Sequence, residues 1–167
     1  MFEKMLGPLD GSEMAEAVLP YVEDLANRYS AEVILLQVIA TPHDRSIATV
    51  FQPSLAVPGT AEDTTPATHP LYRDQEMESL RVEGERRLSG VRKRLREAGV
   101  QTRVVVLFGR PPDRIVEYAT KEDVDLIALS TYGRSGFGRW AFGSVAKRVM
   151  RATAIPVLLI RPPGGES

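Results

Sequence analysis

A glycine-rich stretch near the end of the chain has the composition of a phosphate-binding loop. Between Ser130 and Ser144 the sequence reads STYGRSGFGRWAFGS, directly between an apolar segment and a segment with helical spacing. Glycine lets backbone N–H groups approach an anion closely and adopt positive φ. The free N–H groups of a helix that begins at Ser144 would add attraction for an anion. The composition favours a phosphate cradle over a flexible connection whose cations are merely solvated.

Positive charge is concentrated around this stretch. No Asp or Glu occurs from Gly133 to Arg161, whereas Arg134, Arg139, Lys147, Arg148, Arg151 and Arg161 all fall there or at its end. The whole chain has 21 Lys and Arg against 22 Asp and Glu, a formal net charge of −1. This balance argues against a positive electrostatic field over the whole protein that would attract nucleic acid or an anionic membrane. The local excess of positive charge favours an anionic ligand. The spacing matches neither a Walker motif nor GxGxxG.

A second candidate is the turn Pro8-Leu9-Asp10-Gly11-Ser12, which follows the first apolar segment. A carboxylate at the end of a strand can accept a hydrogen bond from a ribose hydroxyl or an exocyclic amine. Alternatively, Asp10 or Ser12 caps the following helix. The turn by itself leaves both interpretations open.

Several kinds of chemistry are excluded or disfavoured by composition. The chain has no cysteine, which excludes disulfides, thiolate nucleophiles and Cys-ligated metals. Its two histidines, His43 and His69, are far apart in a Pro- and Thr-rich connection and offer weak support for a metal site. No apolar run approaches the ~18 residues of a membrane span, and no signal peptide is recognisable. We expect a cytoplasmic protein with no membrane contact and no metal ligands of its own.

Alternating strands and helices must position these candidates. The predicted strands are Lys4–Leu9, Glu32–Ile39, Val100–Phe108, Val124–Ser130 and Ile155–Ile160. Apolar steps of three and four predict intervening helices along Met14–Tyr29, Met77–Ala98, from Pro111, and along Ser144–Ala152. We predict one α/β domain over residues 1–162, with a tail at 163–167. The connection 41–70 is predicted to be an insert, either a functional lid or a mobile segment.

This alternation predicts a parallel sheet with helices on both faces. Ligands of such sheets bind outside the carboxyl ends of the strands, where loops 8–12, 40–70, 108–111 and 130–144 would meet. Pro156 cannot donate a ladder hydrogen bond, so the last strand is expected at a sheet edge. An apolar edge needs cover, and we predict a homodimer in which Ile155–Ile160 pairs with its copy.

From Lys4 to Arg161, outside the 41–70 insert, the chain resembles the universal stress protein family. The resemblance rests on PLDGSEMAEAVLPYV, on Gly109-Arg110-Pro111, and on STYGRSGFGRWAFGSVAKRVMRATAIPVLLIR. The ATP-binding members carry Gly, two residues, Gly, nine residues, then Gly-Ser or Gly-Thr. Gly133, Gly143 and Ser144 match this signature, and Ser130 stands where its first glycine would be.

The resemblance implies a Rossmann-like open sheet of five parallel strands in the order 3-2-1-4-5. It also implies that Asp10 and Val38 contact adenine or ribose, that Pro8 lines their pocket, and that the phosphates bind near Ser130. The implied phosphate ligands are Gly133, Gly143, Ser144 and the backbone of Val145, with Arg134 able to neutralise charge. The implied ligand is ATP or AMP with Mg²⁺. The metal ion would bridge oxygens of the phosphates.

The sequence is compatible with three functions. The first is an ATP-binding stress or signalling module that acts as a homodimer on an unknown protein partner. The second is an enzyme, a weak nucleotide hydrolase or adenylyl transferase, which is disfavoured because the glycine-rich stretch has no carboxylate to place Mg²⁺. The third is a dimeric interaction protein that binds no nucleotide, which Ser130 favours.

Overall fold

A computed structural model describes residues 1–41, 70–131 and 143–162, and the backbone alone for residues 70–73. It contains five parallel strands: β1 (Lys4–Pro8), β2 (Glu32–Ile39), β3 (Thr102–Phe108), β4 (Leu126–Ser130) and β5 (Val157–Ile160). Their order in the sheet is β3-β2-β1-β4-β5. The helices described are α1 (Glu13–Glu16), α2 (Leu19–Tyr29), α3 (Pro70–Glu97), α4 (Pro111–Lys121) and α5 (Ser144–Ala152). The predicted Rossmann-like α/β fold and strand order 3-2-1-4-5 are confirmed.

Helices cover both faces of the sheet, as the nearly continuous apolar sequence of β2 predicts. Val33 and Leu35 belong to one buried cluster, which they share with residues of α2 and α3. Ile34 and Leu36 point to the opposite face and belong to a second cluster with residues of α4 and α5. All four side chains are fully buried. β2 is therefore fixed in the interior, and its carboxyl end is held in one position.

The single helix predicted along Met14–Tyr29 is in fact two helices. α1 ends at Glu16, and α2 begins at Leu19 with Pro20 in its first turn, where the missing N–H costs no hydrogen bond. Met14 and Tyr29 were predicted on the apolar stripe but are 41% and 44% exposed. The buried residues of that stripe are Val18, Val22 and Ala26.

Helix α3 is longer than the apolar pattern predicts. It spans 28 residues, about 42 Å, whereas the eight residues of β2 cover only about 26 Å. Within residues 74–97, the buried residues are Gly84, Leu88, Val91 and Leu95. The predicted inward positions Met77 and Leu80 are both 40% exposed, because this end of the helix extends past the sheet.

The last strand lies at an edge of the sheet, as predicted from Pro156. β5 pairs with β4, and each of its four side chains is partly exposed. It begins at Val157, two residues later than predicted, although the Pro156 carbonyl still accepts the N–H of Ile127 at 3.0 Å.

A carboxylate fastens β1 beside β4, where the strand order reverses. Asp125 Oδ2 accepts the N–H groups of Glu3 and Lys4 at 2.8 and 2.9 Å. These two bonds hold the pKa of the Asp125 carboxyl below its ordinary value. The amino ends of β1 and β4 are thereby kept side by side, opposite the edge at which both strands end.

Candidate functional site

A cavity of about 270 Å³ opens at the carboxyl edge of the sheet, where β1 and β4 meet. This is the point of strand-order reversal at which open α/β sheets bind ligands. Seven of the nine sequence-predicted site residues line it: Pro8, Asp10, Val38, Ser130, Gly143, Ser144 and Val145. Gly133 and Arg134 lie outside the described residues, as does nearly all of the 41–70 insert.

Asp10 is held in a tight turn at one side of the cavity. Its Oδ1 accepts the N–H of Ser12 at 2.9 Å and the Ser12 hydroxyl at 2.6 Å. The Ser12 oxygen in turn accepts the N–H of Ala15 at 3.2 Å, which caps α1. Ser12 is therefore the capping residue, and Asp10 orients it while presenting a carboxylate to the cavity.

The first turn of α5 forms the other side of the cavity. Gly143 precedes the helix, and its N–H donates to the Thr131 carbonyl at 2.6 Å. A Cβ at Gly143 would lie 2.8 Å from that oxygen, so glycine is required for this close approach. The N–H groups of Ser144 and Val145 belong to the first turn and have no intrahelical acceptor. The positive end of the α5 dipole is thus directed at the cavity.

Apolar side chains form the walls between these two sides. Leu36 and Val38 come from β2, Leu129 from β4, and Pro111 and Ile115 from α4. A flat aromatic ring fits such surroundings, with a polar group needed only at its edge. The sequence predicted a helix start at Pro111, but neither Pro111 nor Ile115 was predicted to belong to the site. The sequence could have indicated these residues, because α4 directly follows a parallel strand. The start of α4 must therefore lie at the carboxyl edge of the sheet.

Two further observations bear on the site. Within residues 1–41, 70–131 and 143–162, no group of three or more His, Cys, Asp or Glu residues could hold a metal ion. Among the residues that the structure describes, none pairs with the buried hydroxyl of Thr131. Buried hydroxyls are normally paired, and Thr131 directly follows the cavity-lining Ser130.

No helix in the described parts of the chain is both long and apolar enough to cross a bilayer. The most elongated helix, α3, carries many charged side chains along its exposed surface.

Comparison with known proteins gives a consistent result. The family model described as "Universal stress protein family" matches residues 1–161. A universal stress protein of Methanocaldococcus jannaschii is 30% identical over 99% of this chain and 86% of its own length. The solved structure of the M. jannaschii protein MJ0577 has a TM-score of 0.77 at 25% identity and covers 99% of both chains. A universal stress protein from Archaeoglobus fulgidus, solved in complex with dAMP, has a TM-score of 0.59 at 21% identity, covering 96% of this chain and 98% of its own.

Proposed function

This chain belongs to the universal stress protein family, and on that premise we propose that it binds ATP as a stress-response or signalling module. The base and ribose would occupy the apolar part of the cavity, beside Val38 and Asp10. The phosphates would lie at the first turn of α5, bound by the backbone N–H groups of Ser144 and Val145. Gly143, whose own N–H donates to the Thr131 carbonyl, would lie beside them. Ser130, Gly133 and Arg134 complete the proposed phosphate site.

The observation that carries this proposal is that different chemical groups stand at the two ends of one cavity. A carboxylate stands at one end and a helix N-terminus, whose first N–H groups have no intrahelical acceptor, at the other, with apolar walls between them. A nucleotide has the complementary order: a polar base edge and ribose, a flat ring, and an anionic tail. The dAMP complex of the A. fulgidus relative supports a nucleotide as the ligand class.

Mg²⁺ would be held by phosphate oxygens rather than by a protein-built cage. We propose hydrolysis that is slow at most. Among the described residues that line the cavity, Asp10 is the one carboxylate, and it already accepts two hydrogen bonds from Ser12. A fast phosphoryl transfer enzyme needs a carboxylate or similar group placed at the metal and the attacking water.

The same proposal includes a cytoplasmic homodimer that pairs through β5. The partly exposed apolar side chains of this edge strand support it, since such an edge is an aggregation hazard unless it is covered. Nucleotide binding would then act by favouring one conformation of the dimer surface that a protein partner recognises.

The decisive experiment is a calorimetric titration of ligand-free protein with Mg-ATP. We expect saturable binding of one ATP per chain. In the variant Ser144→Asp, a carboxylate would stand in the first turn of α5, where it stabilises the helix dipole by roughly 0.3–1 kcal/mol. The same charge repels a phosphate, so ATP affinity should fall at least tenfold while thermal stability is kept or raised.

Ser89→Asp supplies the matched control, since Ser89 is exposed on α3 and does not line the cavity. It introduces the same charge and should leave ATP affinity unchanged. Absence of ATP binding to the parent protein, found by two methods, would reject the proposal in favour of a dimeric interaction protein. If Ser144→Asp binds ATP as tightly as the parent protein, the phosphates do not bind at the first turn of α5.

A further inference from the structure

Three charged side chains form a cluster where α4 and α5 come together. The Asp113 carboxylate, in the first turn of α4, lies between two guanidinium groups. Arg110 Nη1 is 3.4 Å from Asp113 Oδ2, and Arg148 Nη2 is 3.7 Å from Asp113 Oδ1. The second contact joins the two helices whose first turns line the cavity.

The chain places both arginines next to cavity-lining residues. Arg110 immediately precedes Pro111, and Arg148 is one helical turn after Ser144. Residues four positions apart share one side of a helix, and helical side chains lean toward the N-terminus. The Arg148 guanidinium therefore extends toward the end of α5 at which the proposed phosphates begin.

The cluster carries more positive than negative charge and is open to solvent. Two guanidinium groups face one carboxylate, at distances that are long for a charge-assisted hydrogen bond. The three side chains are between 41% and 54% exposed. Exposed ion pairs of this kind are weak, so an incoming anion can compete with Asp113 for both guanidinium groups.

We propose that Arg110 and Arg148 form an outer anion subsite that binds the terminal phosphates of a nucleoside triphosphate, with Asp113 as the competing counterion. The inference rests on the proposed function and deepens it by naming the ligand class. A monophosphate ends at the first turn of α5, whereas a triphosphate extends two phosphate groups further. The cluster would therefore select ATP over AMP, with little effect on the affinity for AMP.

The test is the ratio of ATP to AMP affinity, measured by calorimetry at low ionic strength with Mg²⁺ present. Arg110→Gln and Arg148→Gln should each lower this ratio about fivefold, by weakening ATP and leaving AMP unchanged. Asp113→Asn removes the competing carboxylate, so it should raise the ratio by about twofold or more. Added salt should shrink all three differences through screening.

Arg151→Gln is the matched control, because Arg151 is an exposed arginine in the last turn of α5. It removes the same charge from the same helix and should leave the ratio unchanged. Thermal unfolding of each variant checks that the fold is intact.

An unchanged ratio in both Arg110→Gln and Arg148→Gln, with ATP and AMP still bound, would overturn the subsite and leave the proposed function standing. An equal loss of ATP and AMP affinity would overturn it as well, because the arginines would then attract any nucleotide through their charge without contacting the terminal phosphates. A parent protein that binds neither nucleotide would instead reject the proposed function, and this inference with it.

Discussion

At the scale of single residues, Asp10 is positioned for both of the roles that the sequence left as alternatives, support of the helix cap and contact with a ligand. Its Oδ1 accepts both the N–H and the hydroxyl of Ser12, and it also lines the cavity. An alanine substitution would therefore disturb the turn and the site together, and its effect on binding alone could not be interpreted. Asparagine separates the two roles because its amide oxygen can still accept both hydrogen bonds.

We expect Asp10→Asn to keep the free energy of unfolding within about 0.5 kcal/mol of the parent value. Its ATP affinity should fall about fivefold or more, since a neutral acceptor binds a ribose hydroxyl or amine less strongly than a carboxylate. Asp10→Ala should lower ATP affinity too, and it should also lower stability by roughly 0.5–2 kcal/mol through the loosened cap. Calorimetry and urea unfolding measure the two quantities. Parental affinity in Asp10→Asn would restrict Asp10 to holding the turn.

At the scale of secondary structure elements, two glycines of α3 have different surroundings. A Cβ at Gly84 would lie 3.1 Å from Gln37 Oε1 and 3.1 Å from Val106 Cγ2. At this position the helix packs tightly against side chains of β2 and β3. A Cβ at Gly90 would meet no atom within 4 Å. A side chain at the first glycine would therefore crowd the contact between helix and sheet, whereas one at the second would not.

We expect Gly90→Ala to stabilise the protein by up to about 1 kcal/mol, because alanine is the better helix former. Gly84→Ala gains the same helix propensity but forces α3 away from the sheet, so it should destabilise the protein by about 1–3 kcal/mol. Urea unfolding of both variants provides the comparison. A stabilising Gly84→Ala would mean that the helix can shift outward without loss.

Gly7 lies within β1, where a residue without a side chain weakens the strand. It does not line the described cavity, and a Cβ there would make ordinary contact with Leu35 Cδ2 at 3.8 Å. Nothing in the structure explains why glycine occupies this position.

At the scale of the whole molecule, the orientation of the β5 backbone determines which of its groups could form hydrogen bonds with a second copy of the chain. The Pro156 carbonyl accepts the N–H of Ile127 in β4, and the Ile160 carbonyl accepts that of Thr131, which directly follows β4. Because backbone groups alternate in direction along a strand, Val157 and Leu159 direct theirs away from the sheet. These are the groups with which a second β5 would pair.

We expect Leu159→Pro to weaken the homodimer, because it removes an outward N–H while leaving the bonds to β4 in place. Leu159→Ala is the control, since it loses the same side chain but keeps the N–H. Sedimentation at several concentrations should show dimers for the parent protein and for Leu159→Ala, and largely monomers for Leu159→Pro. A dimer that survives in Leu159→Pro would place the interface elsewhere.

The sequence by itself determined the fold class, the strand order through the family resemblance, and the carboxyl edge as the place of the site. These properties follow from local signals. The continuous apolar sequence of β2, the helical spacing after Ser144 and the motif that ends in Gly143-Ser144 can each be recognised within a short segment. Seven of the predicted site residues consequently line one cavity.

Only the tertiary structure decided how separate segments meet. The two arginines on Asp113 come from positions 110 and 148, and the close contact of Gly143 joins it to Thr131 across a stretch of intervening chain. The exposure of Met77 likewise depends on how far α3 extends past the sheet. Periodicity along a helix cannot predict this, because it reports which face is apolar but not where the neighbouring layer ends.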